Sequence, residues 1–169
     1  MIRSFNGKTP VIDESAFVSE SAYVIGDVEI GEGSSVWPGA VIRGDFGKIK
    51  IGKNTCVEDN CIVHSAPETL IIGDNVHIGH GAAINCHVID DEVLIGMNAT
   101  LLHEAEIGKQ CVIGASCLVT QGMKIADKSF VAGIPGKVKG EVSQQQLWWV
   151  TEGSKAYTAL AKEYKEQGL

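Results

Sequence analysis

The sequence predicts an all-β fold, a parallel β-helix wound from hexapeptide repeats and followed by an α-helical tail. Three observations predict it: an aliphatic residue at every sixth position, a glycine-rich and aromatic-poor composition, and helical spacing near the C-terminus. The first series is Ile12, Val18, Val24, Ile30, Val36 and Ile42. Shorter ones follow at Ile51, Val57, Val63 and at Ile72, Ile78, Ile84, and the longest runs in sixes from Ile89 to Val131. Neither a 3.6-residue helix nor a two-residue strand alternation produces a period of six. One inward aliphatic per six-residue unit is the pattern of a coiled parallel sheet.

The composition agrees with a narrow solenoid. Of 169 residues 44% are hydrophobic but only 6% aromatic, so Val and Ile must fill the core. Twenty glycines against four prolines suit tight corners. A net charge of −7 disfavours nucleic acid or an anionic membrane as partner. No segment has the length of a membrane span, and the opening MIRSFNGKTP lacks a signal-peptide core. Five cysteines without a CxxC pair read as reduced thiols in a cytoplasmic protein. Cys111 and Cys117, six apart, read as buried small residues.

Residues 1–10 read as a lead-in strand and turn, and the repeat runs from about 11 to 133. Three hexads make one triangular coil of roughly eighteen residues, giving about six to seven coils. The phase breaks at Arg43–Lys48, and Ser65–Thr69 is expected to loop out. Such insertions in a solenoid project from one face, often the binding face. Gly133-Ile134-Pro135-Gly136 ends the repeat, so residues 1–136 form a β-helix domain and 137–169 a helical tail packed on it. Ser143 reads as an N-cap with Gln146 completing a capping box. Leu147, Trp148 and Val150, then Tyr157, Leu160, Ala161 and Tyr164, give an apolar face interrupted at Gly153. The tail is therefore expected as one broken helix or two short ones.

All five histidines fall between His64 and His103, with His77 and His80 leaving one strand-turn region. Histidine is the commonest metal-ligating side chain. Arg43 with Asp45, and Glu58 with Asp59, are polar groups about a coil apart that can orient such ligands or tie corners and subunits together.

Taken in order, Val41-Ile42-Arg43-Gly44-Asp45, Val57-Glu58-Asp59-Asn60-Cys61-Ile62-Val63-His64, His77-Ile78-Gly79-His80 and Ile95-Gly96-Met97-Asn98 resemble the gamma-class carbonic anhydrase family. The similarity is strongest to its phenylacetate-degradation and carnitine-operon branch. It covers nearly the whole chain and implies a left-handed β-helix assembled as a homotrimer, with one zinc, iron(II) or cobalt ion per inter-subunit site. By resemblance His64 is the first ligand and His80 the one that reaches across the interface. Arg43 and Asp45 match a subunit-tying pair, and Asp59 an acidic partner. Glu58 stands where the family usually has a water-orienting glutamine, and Tyr157 matches a tail tyrosine near the pocket.

The chain departs from that pattern at the third ligand. The string His80-Gly81-Ala82-Ala83-Ile84-Asn85-Cys86-His87 puts Asn85 where the family has histidine. Asn85 ligates through its amide oxygen, His87 substitutes for it, or the site is degenerate; the sequence leaves all three open. The implied activity is metal-assisted hydration of carbon dioxide to bicarbonate, a lyase reaction in which Glu58 orients water or accepts its proton. Glu68 is a candidate shuttle, although an exposed loop glutamate needs no such role. Three rivals remain. A metal-dependent acyl-CoA thioesterase would draw on Lys48, Lys50 and Lys53 for phosphate contacts. A hexapeptide acyltransferase would use His103 as base. The last is a non-catalytic trimeric relative.

Overall fold

The computed structural model describes residues 1–169 as a left-handed parallel β-solenoid of about seven turns, closed by one C-terminal helix. The inward aliphatics form the expected column. Val24, Ile42, Val63, Ile84, Leu101 and Val119 are essentially inaccessible, each contributing about 1.5–3 kcal/mol by leaving water. Ile12 and Val18, at the open N-terminal end, are only partly covered. Cys111 and Cys117 are buried, as their spacing suggested.

Corners explain the period. Residues 92, 98, 104, 110, 116, 122 and 128 all adopt positive φ, one per hexad, and earlier corners use Asn54, Asn60, Asn75 and Gly81. A left-handed residue turns the chain between rungs, which is why Asn and Gly recur there.

The prism has three faces. The first carries Phe17–Val18, Ser35–Val36, Cys56–Val57, His77–Ile78, Leu94–Ile95, Val112–Ile113 and Ser129–Ala132. The second carries the start of Tyr23–Ile30 and of Val41–Ile51, then Ile62–His64, Ala83–Ile84, Thr100–Leu101 and Leu118–Val119. Its outward side chains are apolar except for Thr100, among them Tyr23, Val41, Ala83, Leu118 and the 53%-exposed Ile62. The third face is charged: Glu29 pairs with Lys48 and Lys50, and Glu106 with Lys124 at 3.2 Å.

The insertion at Arg43–Lys48 is absorbed differently from expectation. Val41–Ile51 runs as one strand around the corner, its register against Tyr23–Ile30 slipping between Gly26 and Val28. Gly44 and Gly47 make this bend possible, because a Cβ on either would collide with the backbone of Asp27 or Ala66. Coil length varies accordingly. Ile42 pairs with Val63 across the enlarged coils, whereas Ile78 pairs with Ile95 after one residue is lost between Ile84 and Ile89.

After Ser129–Ala132 the chain doubles back. Lys137–Glu141 pairs antiparallel with Ser129–Ala132 and covers that ladder edge. Ser143 caps the helix Gln144–Glu166 through a reciprocal box with Gln146. This helix is continuous through Gly153. Continuity sets the buried face as Val150, Ser154, Tyr157, Ala161 and Tyr164, and leaves Trp148 and Leu160 pointing outward. The helix docks on the first four rungs of the first face. Phe17, Trp37, Tyr157 and Tyr164 form edge-to-face pairs there, and Ser154 donates to the Asn54 carbonyl at 2.9 Å. No helix is long and apolar enough to cross a membrane.

Candidate functional site

Two groups of polar side chains flank the apolar second face. At the edge shared with the third face, Arg43 pairs in register with His64, and the rungs of Val63 and Ile84 stack Asn85 directly beyond it. Arg43 donates to Asp45 Oδ2 at 2.6 Å, and His64 Nε2 meets Asp45 Oδ1 at 3.1 Å. Asn85 Nδ2 lies 3.2 Å from His64 Nδ1. Burial pushes the Asp45 carboxyl up, but the hydrogen bonds from Arg43 and His64 and the guanidinium charge outweigh it, holding Asp45 below the usual carboxylate range.

These contacts fix one another. The Asn85 NH2 group faces His64 Nδ1, so Nδ1 accepts from it and the imidazole hydrogen sits on Nε2, towards Asp45. The Asn85 oxygen is then left buried with no hydrogen-bond partner. An orphaned acceptor of this kind costs about 1–3 kcal/mol.

The other group sits where the first face turns into the second. Glu58 follows the strand Cys56–Val57 and is 4% exposed. It accepts from His77 Nε2 at 2.9 Å and from the His80 backbone N–H at 2.7 Å, and the Tyr157 hydroxyl of the helix faces it. The His80 ring lies between two carboxylates, with Nε2 3.3 Å from Glu58 and Nδ1 3.0 Å from Asp59. Burial raises the Glu58 carboxyl, yet the hydrogen bonds from His77 and Tyr157 and the field of His77 bring it below its ordinary value. Burial, then the Glu58 contact, pushes the Tyr157 phenol far up, so it stays protonated as a donor.

The structure thus brings together Arg43, Asp45, His64 and Asn85 at one edge, and Glu58, Asp59, His80 and Tyr157 at the other. No hydrogen bond or ion pair joins the two groups within one chain. His87 belongs to neither: its Nδ1 is 4.0 Å from Glu106, and it lines a cavity of about 310 Å³ with His103 and Glu68. His77 is the residue the sequence reading undervalued. Its signal lay in the register with Cys56, which places it outward on the helix-covered face.

Two donor sets deserve comparison with metal chemistry. Cys56, Glu58 and His77 offer atoms within 4.8 Å of one another. Glu58 is already committed to several donors and burial drives the Cys56 thiol strongly up, so the trio is built as a hydrogen-bond network. His64 and Asn85 fit better. The Asn85 amide lies beside His64 Nδ1, and its buried oxygen has no other partner to give up.

A search of known proteins agrees with the repeat. The model for bacterial transferase hexapeptide (six repeats) matches residues 9–44 and 86–121. The carnitine operon protein CaiE of Escherichia coli K12 is 35% identical over 93% of this chain and 81% of its own length. Gamma carbonic anhydrase 2, mitochondrial, of Arabidopsis thaliana is 37% identical over 92% of this chain. The chain belongs to the hexapeptide-repeat family, with CaiE among its relatives. It spans 58% of the length of that plant relative. Among solved structures, a Bacillus cereus protein provisionally named an acetyltransferase superposes with a TM-score of 0.94 at 36% identity, covering 98% of this chain and 97% of the other. The family therefore includes proteins named for hydration and for acyl transfer.

Proposed function

We propose that the chain forms a closed trimer that hydrates carbon dioxide at metal sites shared between copies, each using His64 of one chain and His80 of the next. The observation that carries this reading is the position of the two polar groups on opposite edges of one apolar face. In a closed ring the apolar face of each copy would meet its neighbour and bring the His80 edge of one chain to the His64 edge of the next. Resemblance to the plant gamma carbonic anhydrase supports it.

A divalent ion held by His64 and the neighbouring copy's His80 would supply Lewis acidity, lowering the pKa of a water towards neutrality. The chain's own residues do the rest. Arg43 and Asp45 orient His64, and Asp59 orients His80 through Nδ1. Glu58, ionised and fixed by His77 and Tyr157, presents a carboxylate beside His80 that positions a water. The five free, buried cysteines support a reducing, cytoplasmic setting.

The test is light scattering, metal content and stopped-flow carbon dioxide hydration with zinc, cobalt or anaerobic ferrous iron. A trimer whose activity disappears in His64→Ala and in His80→Ala is expected. Mixed trimers of the two variants should regain part of it, because some sites then draw an intact histidine from each chain. A monomer, or no hydration with any ion, would overturn the proposal.

One observation favours a second substrate class. A cavity of about 400 Å³ between the helix and the first face is walled by Leu94, Met97 and Trp149 and ends at Glu58 and His80. Carbon dioxide needs no such apolar space, whereas the acyl part of a thioester would fill it. Hydrolysis of acyl-CoA thioesters should be assayed alongside hydration.

A further inference from the structure

We propose that the Asn85 amide is a two-position ligand. It closes the ion-free site by donating to His64, and on metal binding it turns about its Cβ–Cγ bond to bind through oxygen. This rests on His64 belonging to a metal site and goes past that reading by assigning a role to the residue beside it.

Four side chains are linked in series. Arg43 holds Asp45 ionised, and Asp45 holds the proton of His64 on Nε2. The Asn85 NH2 group faces His64 Nδ1, which accepts from it, and the buried amide oxygen is stranded without a partner. The opposite amide orientation would set that oxygen against a nitrogen lone pair, so it is closed while the site is empty. A cation on Nδ1 removes this constraint. The lone pair is then used by the ion, the NH2 group loses its acceptor, and the oxygen gains a positive charge to face. The ladder holds the two residues on adjacent rungs, so the exchange needs one side-chain rotation and no backbone movement.

An amide oxygen is a harder donor than imidazole. The site should therefore discriminate less between zinc and manganese than a three-histidine site does.

The experiment titrates Zn2+, Co2+ and Mn2+ into metal-free protein against a chromophoric chelator. Wild type is compared with Asn85→Leu, Asn85→Asp, Asn85→His and His64→Ala. Expected results are a loss of at least tenfold for all three ions in Asn85→Leu and a gain of at least tenfold in Asn85→Asp, which keeps the oxygen and adds a negative charge to face the ion. Asn85→His should tighten Zn2+ by tenfold or more and Mn2+ by less. Asn85→Leu binding like wild type overturns the amide ligand and leaves the His64 reading standing. If Asn85→Leu fails to fold, unchanged affinity in Asn85→Asp overturns it equally. His64→Ala binding like wild type, or no binding in wild type and Asn85→His alike, overturns the metal site itself and this proposal with it.

Discussion

His77 gives its Nε2 hydrogen to Glu58 at 2.9 Å while its buried Nδ1 has no partner at all. The imidazole is held by one carboxylate, by the edge of Tyr157 at 4.9 Å and by the backbone of the helix above it. Glu58 is thus the single anchor of a network that reaches from the solenoid corner to the helix.

Replacing Glu58 with Ala should lower stability by about 2–3 kcal/mol, measured by urea denaturation at neutral pH, since it leaves buried donors unpaired. Glu58 also shapes the acid response. Its folded carboxyl lies below the ordinary 4.5, so the unfolded chain takes up that proton first as pH falls. The stabilisation is whole above the ordinary value and disappears as pH falls through the lower folded one. Glu58→Gln should flatten that part of the stability profile, and an unchanged acid limb would refute the assignment.

Gly153 faces His77 closely enough that an added methyl would lie 3.4 Å from Nδ1. That is ordinary contact, and alanine favours a helix interior over glycine by about 1 kcal/mol. Gly153→Ala should therefore raise the melting temperature, whereas Gly153→Leu should lower it by forcing the helix off its rungs. A loss with alanine would show that the position tolerates no side chain.

Ile62, 53% exposed at the centre of the apolar face, has the least reason to be apolar in an isolated chain. Ile62→Glu should yield a folded monomer by light scattering, with the far-ultraviolet circular dichroism of wild type. The same change at Ile71 on the charged face, 43% exposed, should leave the assembly intact.

Asp45→Asn should reduce metal affinity by about 10–100-fold, read by chelator competition, because the His64 tautomer is no longer enforced. Circular dichroism should be unchanged. Equal affinity would mean that Asp45 serves only the corner.

The inward column was legible because a period of six has one structural meaning, and its members are the buried residues. The corners were legible in part. Asn and Gly mark left-handed turns, but Glu92, Glu104, Gln110 and Lys128 take the same conformation without that chemistry. The faces were written one position earlier than the column. Val41, Ile62, Ala83 and Leu118 precede inward residues on the apolar face, and Glu29, Lys50, Glu106 and Lys124 do so on the charged one. What sequence could not disclose was the absorption of Arg43–Lys48 into a continuous strand, because that depends on which backbone Gly44 and Gly47 meet. Continuity through Gly153 was hidden for the same reason: glycine reads as a break until His77 is known to lie beneath it. The stranded oxygen of Asn85 is a property of four side chains together, and no pairwise spacing carries it.

The helix of residues 144–166 lies over rungs from the first half of the chain, among them those bearing Trp37, Cys56 and His77. During synthesis the coils can wind as they emerge, each on the one before. Glu58 and His77 nevertheless remain open to water until residues 144–166 have been made and have folded back. A ribosome stalled after residue 136 would present a wound solenoid whose polar network is unsealed, a form on which a chaperone could act and the finished protein would not.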